Sequence, residues 1–294
     1  MKFTRLGLFS YLLAGLCLVS CSSKKNEGAN SDEFKEAEQS LKEQIEEVVY
    51  NIPSPTEIPY LLEATGADYN QTLVNDKKKV DQYASISDKA ALNLGVYAAD
   101  IGYLTSYDKT QDAIDYMNVC KTLADNLGVI GAFDVEILKK FESNISNKDS
   151  LASLLNSTIS QADRYLKDDS RNKLAALIVT GSFVEGLYIS TGVVKSYPKN
   201  ILPDDQRNLI LTPLMRIILE QEKSVDELLR MLGNSGTEEP IPSIVADLTA
   251  LQASYSALNI EEQIKNNRAD LVLTDKNLTD ITNIVEKLRK SITQ

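Results

Sequence analysis

The chain has 294 residues, with 42 acidic against 31 basic side chains, a net charge of −11, and no histidine. Without an imidazole, zinc-protease helices, serine–histidine and cysteine–histidine catalysis, histidine-ligated haem and di-iron bundles built on Glu-x-x-His are all excluded. The acidic balance argues against nucleic acid and against direct binding to anionic lipid, and the lack of tryptophan argues against an aromatic platform for sugars.

The first element is an export signal. Lys2 and Arg5 precede a short apolar core, Leu6 to Val19, so residues 1–20 are left out of the fold. Leu18-Val19-Ser20-Cys21 resembles the lipobox of bacterial lipoproteins at every position. That resemblance implies cleavage before Cys21, diacylglycerol on its thiol and an acyl group on its new amine. Three chains would anchor the protein permanently, since two signals already suffice. Ser22 stands where an aspartate would retain an enteric lipoprotein at the inner membrane, which favours the outer membrane and leaves the leaflet open. Residues 21–31, CSSKKNEGANS, read as a flexible tether. Cys17 leaves with the signal and Cys21 is lipidated, so Cys120 stands alone and no intramolecular disulfide forms. Within MNVCKTLADNL, Cys120 reads as a small core residue.

From residue 32 to 294 the pattern is helix after helix, without strand-like alternation. A helix is expected from Asp32 to Tyr50, stopped by Pro53. Ser54 to Glu57 forms a capping box with Pro55 at the first helical position, opening a short helix that ends at Gly66. Lys77, Lys78 and Lys79 read as a solvated face. Ser87 caps the next helix, through Tyr107, and Asp108 to Leu127 is its antiparallel partner, closed by Gly128. Phe133 to Ile145 and Leu151 to Leu166 make another hairpin.

Leu174 to Val194 is the longest apolar run beyond the signal, with Glu185 as its one charge. It is about long enough to cross a bilayer, for which roughly 20 apolar residues are needed. Glu185, Thr180, Ser182, Ser190 and Thr191 would be costly in lipid, so the run is expected to be a central core helix. Its glycines, Gly181, Gly186 and Gly192, would let neighbouring helices approach closely. A long helix is expected from Asp204 to Leu232, with Asp204 and Asp205 favoured at its N-terminus. GNSGTEEPIPS, starting at Gly233, is a loop, and its Gly233 to Gly236 stretch lacks the spacing of a nucleophile elbow. Two last helices run from Ser243 to Leu258 and from Asp275 to Ile292, with residues 259–273 unassigned. The expected fold is all-α: an antiparallel helical bundle or stack of helical hairpins, about ten helices in one domain, with a candidate subdomain boundary near 167–172. No regular repeat period is evident.

Two apolar helices carry similar polar features. Asn93, Tyr97, Asp100 and Tyr107 share one helix face, and Tyr103 follows Asp100 by three. Glu185 is likewise followed three residues later by Tyr188, so Asp100 and Glu185 both open an acid-x-x-Tyr-aliphatic pattern, a faint sign of internal duplication. One reading makes each carboxylate a buried acceptor for tyrosine hydroxyls and backbone groups. A second has both acids facing one pocket and holding a polar ligand or hard cation. A third has them raise each other's pKa for acid–base chemistry. No catalytic residue, metal site or cofactor is assigned from these patterns.

NIPSPTE at 51–57, KAALNLGVYAADIGYL at 89–104, ADNLGV at 124–129, KDSL at 148–151 and FVEGLYIS at 183–190 resemble a set of helical lipoproteins from Bacteroidota. The resemblance implies export and a helical fold, but carries no activity and no catalytic residue. In that phylum Asp-Ser/Thr-aliphatic triplets are O-glycosylated, which marks Ser150 in Asp149-Ser150-Leu151; Asp149 as a helix N-cap explains the triplet equally well. The expectation is an envelope lipoprotein, non-enzymatic, that binds or scaffolds a second envelope protein. The alternative is a small-ligand or cation-binding domain, less readily a hydrolase, using Asp100 and Glu185.

Overall fold

The structure is a computed structural model describing residues 66–129, 139–140, 143, 172–198, 203–258 and 275–294. The signal, Cys21, the tether, the helices expected over 32–50 and 55–65, Ser150 with most of its hairpin, residues 167–171 and the 259–273 stretch lie outside the described residues. Those described are all-helical, with no strand among them. Seven longer helices follow two 3-10 turns (Gln71–Leu73 and Lys77–Lys79) and one short α-turn (Val80–Ala84). They are α1 (Ser87–Ser106), α2 (Thr110–Asn126), α3 (Asn172–Ser196), α4 (Asp204–Leu219), α5 (Glu222–Gly233), α6 (Ile241–Ala257) and α7 (Asp275–Thr293).

The α1–α2 hairpin is set by how its helices end. Asp108 takes a left-handed φ of 54° just after α1, the Lys109 N–H donates to Leu104 O at 2.9 Å, and the Asp108 N–H donates to Thr105 O at 3.2 Å. Gly128 repeats the device after α2 with a φ of 69°, the Val129 N–H donating to Ala124 O at 2.9 Å. Both are Schellman ends, which satisfy carbonyls a helix terminus leaves free. At the other end of α1, Ser87 is the first helical residue and Ile86 holds the cap position without a side-chain bond, so the expected Ser87 cap moves by one residue.

α1 packs chiefly on α3 and α2. Because α1 is covered from both sides, it is apolar nearly all round, and Ala90, Leu92, Val96, Ile101 and Leu104 are all buried. Backbone meets backbone at the α1–α3 crossing. A Cβ on Gly95 would stand 2.0 Å from Ile178 O, and one on Gly181 would stand 1.9 Å from Leu92 O. This reciprocal pair of glycines fixes where the two helices cross. Gly186, by contrast, has open space in front of it and takes no part. Among the described residues α3 alone is long and apolar enough to cross a bilayer, and most of it is buried inside the protein.

α3 also packs on α7, α4 and α5, and α6 packs on α5 and α7. The long helix expected over Asp204 to Leu232 is broken in two at Glu220–Gln221. Pro213, inside α4, is not the break point. The carbonyls freed at the break are taken by side chains. Gln221 Nε2 donates to Ile217 O at 3.1 Å, and the Tyr255 hydroxyl of α6 donates to Ile218 O at 2.7 Å. The break lets α4 lie on α3 while α5 turns toward α6, so both bury their apolar faces. The lysine triplet also departs from expectation. Lys78 is exposed, but Lys77 is paired with Asp115, and Lys79 Nζ donates to Thr293 O at 3.1 Å.

Candidate functional site

The α1–α3 crossing carries Asp100 and Glu185 to one place in the core. Asp100 lies five residues beyond Gly95 on α1, and Glu185 four beyond Gly181 on α3. Neither has any exposed surface. Their carboxyl groups face each other within hydrogen-bonding reach. Arg289, from α7, reaches in from the other side, and its Nε and Nη2 donate to Glu185 Oε2 and Oε1 at 3.0 and 3.1 Å. This is a planar fork meeting a carboxylate in the geometry that arginine favours. The guanidinium also lies 4.4 Å from the centre of the Tyr188 ring.

The electrostatics follow from this arrangement. Burial, and then the charge of Glu185, push the Asp100 carboxyl well above the usual range; the Asn75 N–H, donating to Oδ2 at 3.1 Å, offsets only part of this. Burial also raises Glu185, opposed by the charge and hydrogen bonds of Arg289 and by the bond from Asp100. Burial alone would lower the Arg289 guanidinium, but the charge and hydrogen bonds of Glu185, with smaller contributions from Tyr188 and Asp100, together outweigh it and hold the guanidinium more firmly protonated than usual. The consistent assignment is therefore one proton on Asp100, donated to an ionised Glu185 that Arg289 neutralises. It also accounts for Asp100 Oδ1, which has no donor of its own.

Around the triad, tyrosines and asparagines tie the 66–84 segment and the end of α7 to α1. Tyr97 donates to Asp76 O at 2.9 Å, Tyr116 to Asn75 O at 2.6 Å, and Tyr83 to Thr293 O at 2.9 Å. Asn93 Nδ2 donates to Ile292 O at 3.1 Å, and Asn75 Nδ2 reaches Asn93 Oδ1 and the Tyr83 oxygen. Tyr103 is drawn away from Asp100. Its oxygen accepts from the Asn70 N–H at 2.9 Å, and its ring stacks on Tyr69 and meets Tyr107 edge-on.

Asp100 and Glu185 do share a site, as the ligand reading requires. The Glu185 oxygens that a ligand or cation would need are taken by the Arg289 guanidinium. The tyrosines serve differently from expectation, because their hydroxyls donate to backbone carbonyls of the irregular segment and of α7. Asn93 and Tyr97 join that network, Tyr188 lies against Arg289, and Tyr103 and Tyr107 belong to a separate aromatic cluster. The two acid-x-x-Tyr patterns thus meet at their acids and diverge at their tyrosines.

Arg289 is the functional residue that sequence reasoning missed. It follows Val285 by four and precedes Ile292 by three, so it sits on the buried stripe of α7 with Leu278, Ile281 and Leu288. A lone arginine on an apolar stripe is a readable sign of a buried acid partner. Asn75 lies between two 3-10 turns and carried no periodic signal. Among the described residues no three metal-ligating side chains cluster. A cavity of about 150 Å³ opens between α3 and α7, lined by Thr191, Lys195, Leu278 and Thr282, away from the carboxylates. Compared with known families, curated proteins and solved structures, the chain has no match.

Proposed function

We propose that this chain is a lipid-anchored envelope protein of the Bacteroidota kind, a non-enzymatic binding or scaffold module in which the Asp100–Glu185–Arg289 triad is structural. The observation that carries the non-enzymatic reading is the complete burial of both carboxylates beneath a guanidinium that engages both oxygens of Glu185. A general acid or base must reach a reacting atom, and a metal ion needs free lone pairs. Here Arg289 engages both oxygens of Glu185, and Asp100 has no exposed surface through which to reach a substrate. The lipobox-like Leu18 to Cys21 stretch supports the anchor, and the acidic balance of the chain supports solubility in an aqueous compartment. The helical pattern across residues 32–294 supports a bundle of about ten helices, displayed on the tether of residues 21–31 toward a second envelope protein.

A thermal-melt screen of the soluble fragment from Ser22, against divalent metals and small envelope metabolites, tests the non-enzymatic part. A ligand that binds only the folded state raises stability by roughly 2.7 kcal/mol at a hundred times its Kd. The structural reading expects no shift, with Asp100→Asn and Glu185→Gln altering stability alone. A shift that vanishes in both variants would establish the alternative, ligand or cation binding by the same two acids. Intact mass of the exported protein tests the anchor, because lipidation at Cys21 adds three acyl chains and Cys21→Ser abolishes it. The same spectrum tests Ser150, which is expected to carry extra mass only if the triplet is glycosylated.

A further inference from the structure

We propose that α7 is a proton-dependent clasp: one proton shared between Asp100 and Glu185 lets Arg289 lock the last helix onto α1 and α3, and loss of that proton as the pH rises frees it. Asp100 and Glu185 have no exposed surface, so the charges among them and Arg289 must balance without water. With the proton in place, one carboxylate faces one guanidinium, and Asp100 has a hydrogen to donate. Without it, two buried carboxylates share one guanidinium, and Asp100 Oδ1 is left with no hydrogen-bond partner. Like charges at this range repel strongly when water is excluded.

The groups facing the triad come from every neighbouring element. α1 contributes Tyr97, α2 contributes Tyr116 and Cys120, and α3 contributes Tyr188. The 66–84 segment contributes Tyr69, Asp76 and Tyr83, and Lys79 and Lys89 stand at the end of α7. Burial pushes the hydroxyls of Tyr69, Tyr83, Tyr97 and Tyr116 and the Cys120 thiol upward, so they stay neutral around neutral pH. The chain has no histidine, the side chain that ordinarily titrates near neutrality. The triad's own proton is the charge that changes in this core.

The structure also indicates which element yields. α1 and α3 touch backbone to backbone at Gly95 and Gly181, so neither can shift without breaking that crossing. α7 is held by its packed stripe, by the Lys195–Glu286 and Lys287–Asp247 ion pairs and by bonds at its C-terminal end. Arg289 grips Glu185, while Asn93, Tyr83 and Lys79 bind the carbonyls of Ile292 and Thr293 in its last turn. Release would uncover the apolar stripe of Leu278, Ile281, Val285, Leu288 and Ile292.

Hydrogen exchange of the full chain, from about pH 6 to about pH 9 and corrected for the intrinsic rate, tests the clasp, since a one-proton linkage changes an opening equilibrium by at most about tenfold per pH unit. Protection in α7 is expected to fall with rising pH while α1 and α3 keep theirs, and Asp100→Asn is expected to hold α7 at its low-pH protection throughout. Protection of α7 that is independent of pH, an equal fall in all helices, or the same fall in Asp100→Asn would overturn the proposal. If that variant fails to fold, infrared spectra of wild-type chain with isotope-labelled aspartate decide the matter. A protonated aspartic acid band is expected where α7 is protected, and α7 exchange should stop rising with pH once that band is gone; absence of the band, or exchange that keeps rising after it is gone, would overturn the clasp.

Discussion

Arg289→Met removes the guanidinium and keeps most of the side-chain volume. The partner left behind is Glu185, fully buried, whose two oxygens lose their bonds of 3.0 and 3.1 Å and keep only the donor on Asp100. Breaking a buried pair from one side costs about 3–5 kcal/mol, because an uncompensated charge stays in the core. At roughly 2–4 °C per kcal/mol for a chain of this size, the melting temperature should drop by about 6–20 °C. The loss has an escape route, since Glu185 can take up a proton once Arg289 is gone. Protonation becomes harder by about 1.4 kcal/mol per pH unit above the folded-state value, so the variant should be hurt less near pH 5 than near pH 8. The double variant Glu185→Gln with Arg289→Met removes both charges and leaves the Asp100 proton an amide oxygen to bond. It should therefore recover part of the loss, with a coupling energy of roughly 1–3 kcal/mol in a double-mutant cycle. Urea melts of the four proteins at two pH values supply every term. A single-variant loss under about 1 kcal/mol, or losses that simply add, would show that the pair behaves as a surface ion pair and that the triad does not hold the fold.

Other consequences follow from named contacts. Gly95→Ala and Gly181→Ala place a Cβ 2.0 and 1.9 Å from carbonyl oxygens of the facing helix, and should each cost about 3 kcal/mol or more; Gly102→Ala and Gly186→Ala, with open space in front, should be neutral or stabilise by up to about 1 kcal/mol, all read by thermal melts. Asp100→Asn should flatten the fall of stability with rising pH. A carboxyl raised in the folded state contributes stability fully below its unfolded pKa of about 3.9, and that contribution is lost as the pH climbs through the folded value. A wild-type profile as flat as the variant's would contradict the shared proton. Tyr255→Phe removes the hydroxyl on Ile218 O at the α4–α5 break and should cost roughly 1–2 kcal/mol in urea melts. Cys120, buried and with its thiol pushed up, should react with a thiol reagent in the fragment from Ser22 only as fast as the protein opens. Prompt labelling in the native state would place it outside the core.

Local pattern determined much of this protein. The 3.6-residue spacing of apolar side chains marks α1, α2, α3, α6 and α7, because a helix must bury one stripe or, for α1 and α3, nearly its whole surface. Gly128 marked the end of α2 because a left-handed residue there costs glycine nothing. Asp100 and Glu185 stood out as charges that an apolar helix cannot leave without a partner. Which partner each acquired depended on positions far apart in the chain, and pattern is blind to them. The Gly95–Gly181 crossing sets two acids side by side from helices 85 residues apart, and α7 delivers Arg289 from 104 residues beyond Glu185. The break at Glu220–Gln221 was equally hidden, because residues on both sides favour helix and only packing against α3 and α6 makes two short helices better than one long one. Sequence determined that these carboxyls needed company. Tertiary packing decided that the company would be each other, one proton and an arginine, since burial leaves no water to do the same work.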